Sequence, residues 1–138
     1  MKSIFKLFPG GFLVIFLGIA VLSFTYPDKT LDDWVVPEKY KAMKNPYAGK
    51  GDPEGIGKNL FKTHCASCHG KEGLGDGTKA AQLEAELRDF TSTEVQSQTD
   101  GALYYKSIIG KDEMPNFEKK IPSEEDRWMV INFIRSLK

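Results

Sequence analysis

The stretch Phe61-Lys62-Thr63-His64-Cys65-Ala66-Ser67-Cys68-His69-Gly70 decides how this chain is read. Inside it, Cys65-x-x-Cys68-His69 has the spacing at which haem is attached covalently. Two thiols so placed can add to the two vinyl groups of one porphyrin, and His69 can swing beneath the ring to ligate iron. They are the only 2 cysteines in 138 residues. The bland alternative is a disulfide or a dithiol redox pair, but the latter wants a βαβ setting that this sequence lacks. A zinc site needs four ligands, normally from two separated pairs. Here His64, Cys65, Cys68 and His69 crowd one short run with no second pair. The expectation is one covalent haem c, with Cys65 and Cys68 consumed as thioethers and His69 as the proximal iron ligand.

A second axial ligand is sought among Met114, Met43, Met129 and His64. Met129 falls inside the last predicted helix, beside Trp128, and reads as core. Met43 precedes the domain. His64 is tied to Cys65 and cannot easily cross to the opposite face. Met114 lies on a predicted loop 45 residues beyond His69, and Pro115 restricts the backbone there. Met114 is therefore the expected distal ligand. A thioether favours ferrous iron and raises the reduction potential, and closing both faces removes the open position that oxygen activation needs. That combination points to electron transfer.

The first 26 residues are of another kind. Lys2 and Lys6 are their only charges, and Phe12 to Phe24 is almost wholly apolar. A charged n-region followed by an apolar h-region is the pattern of an export signal, and the run is also near the lower length of a membrane span. No A-x-A site follows; Gly18-x-Ala20 and Val21-x-Ser23 are only tolerable for cleavage. Residues 1–26 are thus expected to be either a signal peptide or a retained membrane anchor. Either places the domain on the periplasmic side of the cytoplasmic membrane, where bacteria attach haem covalently.

Residues 27–51 form a linker-like arm punctuated by Pro27, Pro37 and Pro46. Trp34, Val35, Val36, Tyr40, Met43 and Tyr47 make it too apolar for a solvated tether, so it should pack on the domain or on a partner. Residues 52–138 read as the compact unit. Asp52-Pro53-Glu54 has the form of a cap, a first-turn proline and an acid, and Ile56, Leu60 and Phe61 give an apolar stripe running to about His64. Gly73, Gly75 and Gly77 make a loop, and Lys79 to Leu87 is expected to form a short helix. Asp100 should cap a helix through Leu103, Tyr104, Ile108 and Ile109 that stops at Gly110. Ser123-Glu124-Glu125-Asp126 resembles a capping box before a final helix that buries Trp128, Ile131 and Ile134. No alternation of the strand kind stands out, so the fold class is all-α. The chain carries 19 basic and 19 acidic residues, and setting Lys2 and Lys6 aside leaves a formal charge of −2. That leaves no basic field for nucleic acid.

With these motifs in place, residues 52–138 resemble a monohaem class I c-type cytochrome of bacteria. The resemblance rests on Gly57-x-x-x-Phe61, Cys65-x-x-Cys68-His69-Gly70, Gly73-x-Gly75-Asp76-Gly77, Asp89-Phe90-Thr91, Asp100-Gly101-x-Leu103-Tyr104, Met114-Pro115-x-Phe117 and Trp128. It implies helices wrapped around one haem c, with Gly57 and Phe61 meeting Trp128 where the two end helices cross. It also implies an electron carrier or electron-transfer subunit rather than an enzyme. Its partners would be a redox donor and acceptor, with a membrane respiratory complex plausible. A gas-binding sensor with a displaceable Met114 is the alternative, and a peroxidase would need distal acid–base groups that are not evident. One departure stands out: no proline follows His69 before Met114, where many relatives use a proline carbonyl to accept the imidazole N–H. A loop carbonyl within Gly73 to Thr78 is expected to substitute.

Overall fold

The structure, a computed structural model, describes residues 34–138. The expected signal or anchor at residues 1–26, and the first residues of the arm, lie outside that range. Six helices follow in order: α1 (Glu38–Lys41), α2 (Ile56–His64), α3 (Ala66–His69), α4 (Thr93–Gln96), α5 (Asp100–Tyr104) and α6 (Glu124–Ser136). A 3₁₀ turn spans Ala80–Gln82, and α5 runs on into a π-helical turn at Tyr105–Ile109. Among the described residues there is no strand, only an isolated bridge between Lys111 and Met114. No described helix is long and apolar enough to cross a membrane.

The frame is the crossing of α2 and α6. Gly57 carries no side chain at the crossing, and a Cβ there would overlap the Met129 carbonyl and press on Phe133. One turn on, Phe61 is buried and lies with its ring 5.0 Å from that of Phe133. This refines the expected contact: Gly57 faces Met129 and Phe133, while the Trp128 ring packs on Tyr104 at 4.5 Å. α6 buries Trp128, Met129, Val130, Ile131 and Ile134. The burial of Met129 agrees with its reading as core. Each such side chain is worth roughly 1.5–3 kcal/mol of hydrophobic stabilisation when fully buried.

Local signals set most helix ends. Ser123 Oγ accepts from Asp126 N at 3.2 Å, as the capping-box reading expects. Two caps differ from expectation. The carboxylate of Asp52 accepts from Ile56 N and Gly57 N, both at 2.8 Å, but from outside the helix, which starts after Gly55 rather than at Pro53. α5 is capped by Thr99, whose hydroxyl accepts from Ala102 N at 3.2 Å, leaving Asp100 to receive Arg135. Arg135 also donates to Gln96 O and Gln98 O, which fastens α6 to α4 and α5. Between Lys79 and Leu87 only the 3₁₀ turn forms, because the following residues have no buried face to drive a helix.

The described part of the arm lies on the domain. Tyr40, Met43 and Tyr47 pack against the hydrophobic core, and the Tyr40 ring sits 4.7 Å from that of Tyr105. An amide clasp completes the contact. Asn45 Nδ2 donates to Asn132 Oδ1 at 2.8 Å, and Asn132 Nδ2 donates to the Tyr47 carbonyl at 2.8 Å.

Candidate functional site

Cys65 terminates α2 and Cys68 and His69 lie in α3, so one short turn presents all three side chains. The turn is held from behind. His69 N donates to Cys65 O at 3.0 Å, while the glycine loop folds back on the same backbone. Gly75 N reaches His69 O at 2.9 Å, Gly77 N reaches Cys68 O at 3.0 Å, and Lys79 N reaches Ser67 O at 2.8 Å. A Cβ on Gly77 would collide with the Cys68 and Ser67 carbonyls, which explains why glycine stands at that approach. Both cysteines are unpaired thiols.

Burial decides the protonation of the site. The Cys65 thiol is pushed up to about 12 by loss of solvent, with the Cys68 charge adding to it. At neutral pH, with no ligand bound, it is therefore a thiol rather than a thiolate nucleophile. His69 is pushed down to about 4 by the same loss of solvent, so its imidazole is neutral with a lone pair to give. Its Nδ1 is buried and has no hydrogen-bond partner among the described residues. The expected acceptor in the glycine loop is not there. Gly73 O instead receives Phe90 N at 2.7 Å and Gly77 O receives Ala80 N at 2.9 Å.

Phe90 is the residue that sequence reading did not assign. Its ring lies 4.6 Å from the imidazole of His69 at an interplanar angle of 24°, a stacked pair that fixes the imidazole plane. The signal was a single large apolar residue in an otherwise polar run, which marks burial without naming the partner.

Met114 stands on the loop after the π-helical turn. Gly110, at φ +71°, stops that turn where a side chain would meet the Met114 and Pro115 carbonyls. Met114 N then closes a four-residue turn on Lys111 O at 2.9 Å, and Phe117 N reaches back to Ile108 O at 2.8 Å. Met114 is half-buried against the same hydrophobic core that contains Cys65. His64 packs on Phe117 with ring centroids 5.9 Å apart, so the end of α2 meets the Met114 loop. Met43 packs with the arm and Met129 lies in the α2–α6 crossing.

These donors fit a covalently held haem: two free thiols with two residues between them, a neutral imidazole on the same turn, and a thioether on a restrained loop. Among the described residues, no group of three or more His, Cys, Asp or Glu side chains is placed to hold a metal ion by itself.

Comparison with known proteins bears on the same residues. The family model described as "Cytochrome c" matches residues 56–138. Among solved structures, the c-type cytochrome KustC0563 is 28% identical at a TM-score of 0.50, covering 59% of this chain and 96% of its own. A chain of the Kuenenia stuttgartiensis reducing HAO-like protein complex Kustc0457/Kustc0458 is 27% identical at a TM-score of 0.55. That match covers 69% of this chain and 49% of the other, so this chain spans about half the length of that one. No curated protein matches.

Proposed function

The chain belongs to the cytochrome c family, and on that premise we propose that Cys65, Cys68, His69 and Met114 hold one haem c for one-electron transfer. Haem-based electron transfer is the activity that the family match and the likeness to a c-type cytochrome support. When bound, the haem supplies an iron couple that gains and loses a single electron. The observation that carries the assignment is the Cys65–His69 turn itself: one short helical turn presents two free thiols and a buried imidazole kept neutral by loss of solvent. The Cys65 and Cys68 sulfurs form thioethers in this reading. His69 would hold the iron through an imidazole nitrogen, and Met114 would supply a thioether sulfur.

The chain's own residues then set how readily the electron moves. Phe90 holds the imidazole plane, so little reorganisation accompanies a change of charge. Burial of Cys65 and His69 keeps water from the ligand side, and the thioether of Met114 favours the reduced state. The protein works as a carrier or as a subunit of a larger oxidoreductase. The similar chain found within a protein complex supports a redox-protein partner here as well. We place the domain on the periplasmic side of the cytoplasmic membrane, in a respiratory chain, because residues 1–26 have the pattern of a signal or anchor.

Two measurements test this. Mass spectrometry of protein matured in its own host should find one porphyrin on the peptide containing Cys65 and Cys68; a bare peptide overturns the assignment. The oxidised protein should show the weak red charge-transfer band of ferric iron bonded to thioether, absent in Met114→Ala. Rapid carbon monoxide binding to the reduced wild type would instead favour the gas-binding alternative. N-terminal sequencing of protein co-purified from solubilised membranes reports both the location and the partner.

A further inference from the structure

The exposed carboxylate of Glu113 accepts two backbone hydrogen bonds from a distant segment, Glu84 N at 3.2 Å and Ala85 N at 2.9 Å. Among the described residues, other exposed acids bond to a near neighbour in sequence, as Glu38 does to Lys41 and Asp89 to Thr91. Glu113 instead bridges residues 28 and 29 positions away. Both sides of that bridge lead to the site.

On one side, the segment holding Glu84 and Ala85 is pinned to the Cys68–His69 turn at both ends. Lys79 N donates to Ser67 O at 2.8 Å, and Leu87 packs on Gly75, whose amide donates to His69 O at 2.9 Å. On the other side, Glu113 is the residue before Met114 on the four-residue turn that closes from Met114 N to Lys111 O at 2.9 Å. Asp112 in that turn has φ +54°, a left-handed backbone that places Glu113 and Met114 in one tight turn. The clasp therefore joins the backbone that presents His69 to the backbone that presents Met114.

We infer that Glu113 is a positioning residue for Met114: its double hydrogen bond to the 84–85 backbone holds the methionine loop shut. This rests on the reading of His69 and Met114 as the iron ligands. A carboxylate is the suited group because it has two oxygens, one for each amide, and its charge strengthens both bonds. Loss of the clasp frees a loop otherwise tied near its base by Phe117 N to Ile108 O, so Met114 leaves its place more often. The rest of the domain does not depend on it, because Glu113 is exposed and contributes nothing to the core.

The test uses the mature haem-containing protein in four forms: wild type, Glu113→Ala, Glu113→Gln and Glu118→Ala. Glu118 is an acid on the same loop whose carboxylate accepts only from the neighbouring Asn116, at 3.2 Å, and whose removal changes charge without opening the clasp. Carbon monoxide can enter reduced protein only when Met114 swings away, so its association rate reads loop opening. Glu113→Ala removes both bonds and should raise that rate about tenfold, a factor held down by their exposure to solvent. It should also bleach the ferric thioether band at a lower temperature while the helical unfolding midpoint stays near wild type. Glu113→Gln, which keeps one acceptor oxygen, should fall between. Glu118→Ala should match wild type. A change of less than about twofold in Glu113→Ala overturns the inference, as does an equal effect in Glu118→Ala, or loss of helix in step with the band. If Met114→Ala keeps the band, the ligand assignment itself falls, and that outcome is distinct from a silent Glu113→Ala.

Discussion

Phe90 and Tyr104 show what single side chains contribute around the site. Phe90 covers one face of the His69 imidazole at 4.6 Å and meets the Phe61 ring edge-on at 6.1 Å. It is only half-buried, so Phe90→Ala should cost about 2 kcal/mol, below the 3–5 kcal/mol of a fully buried ring. Chemical denaturation of the haem-containing protein measures this, and the reduction potential should move as water reaches the imidazole. Tyr104 works differently. Its hydroxyl accepts from Arg127 Nε at 2.7 Å, and burial raises its pKa above the ordinary 10, against the lowering pull of Arg127. A phenol with a raised folded-state pKa stabilises the fold below its unfolded pKa, and that stability is lost as pH rises through the folded value. Tyr104→Phe should therefore cost about 1 kcal/mol at neutral pH, where Arg127 loses its acceptor. It should also flatten the decline of stability above about pH 10 relative to wild type. Parallel alkaline curves for the two proteins would refute the second expectation.

Among the elements, the α2–α6 crossing is the most exposed to a single change. A methyl group at Gly57 would overlap the Met129 carbonyl, and backbone cannot rotate aside as a side chain can. Gly57→Ala should force the helices apart and cost about 1–3 kcal/mol or more through overpacking, despite the better helix propensity of alanine. A thermal midpoint equal to wild type would show that the crossing yields. The apolar stripes of α2 and α6 were legible as periodic signals, each within one helix, while their crossing at Gly57 and Phe61 was expected only from the family resemblance. The Cys65–His69 turn, the Ser123 cap and the stop at Gly110 were legible too, each set by residues within a few positions. What stayed hidden depends on distant partners. The start of α2 moved from Pro53 to Ile56 because Asp52 reaches over to the Ile56 and Gly57 amides. The π-helical turn at Tyr105–Ile109 has no local signature, yet it sets where the Met114 loop departs. The stacking of Phe90 on His69 and the reach of Glu113 to Glu84 and Ala85 likewise join segments that periodicity cannot relate.

Taken as a whole, the domain assembles its core from short pieces. Only α2 and α6 exceed two turns, and helices as short as α3, α4 and α5 are unstable alone. They persist because something common to them is buried, and Cys65, Leu103, Ile108, Phe117 and Ile121 meet in one cluster with Met114 at its margin. Two tethers limit the chain from outside this cluster: the Arg135 bonds to α4 and α5, and the Asn132 clasp on the arm. Asn132→Ala should release the arm and cost about 1–2 kcal/mol, since it removes both bonds of the clasp and leaves the Asn45 amide without its acceptor, while the Tyr47 carbonyl keeps only Lys50 N. Among the described residues, His69 Nδ1, Gln98 Oε1 and Trp128 Nε1 stay buried without a hydrogen-bond partner. A domain of this size buries little surface per residue, and a large apolar centre bonded at two points offsets that shortfall. Without haem, the buried His69 also keeps its desolvation cost with no bond in return. The Cys65→Ala/Cys68→Ala protein lacking haem should therefore keep part of its helical signal but melt without a cooperative transition. The haem-containing wild type should unfold in one sharp step. Circular dichroism against temperature on both proteins decides it, and a sharp transition in the haem-free variant would mean that the polypeptide packing alone defines the fold.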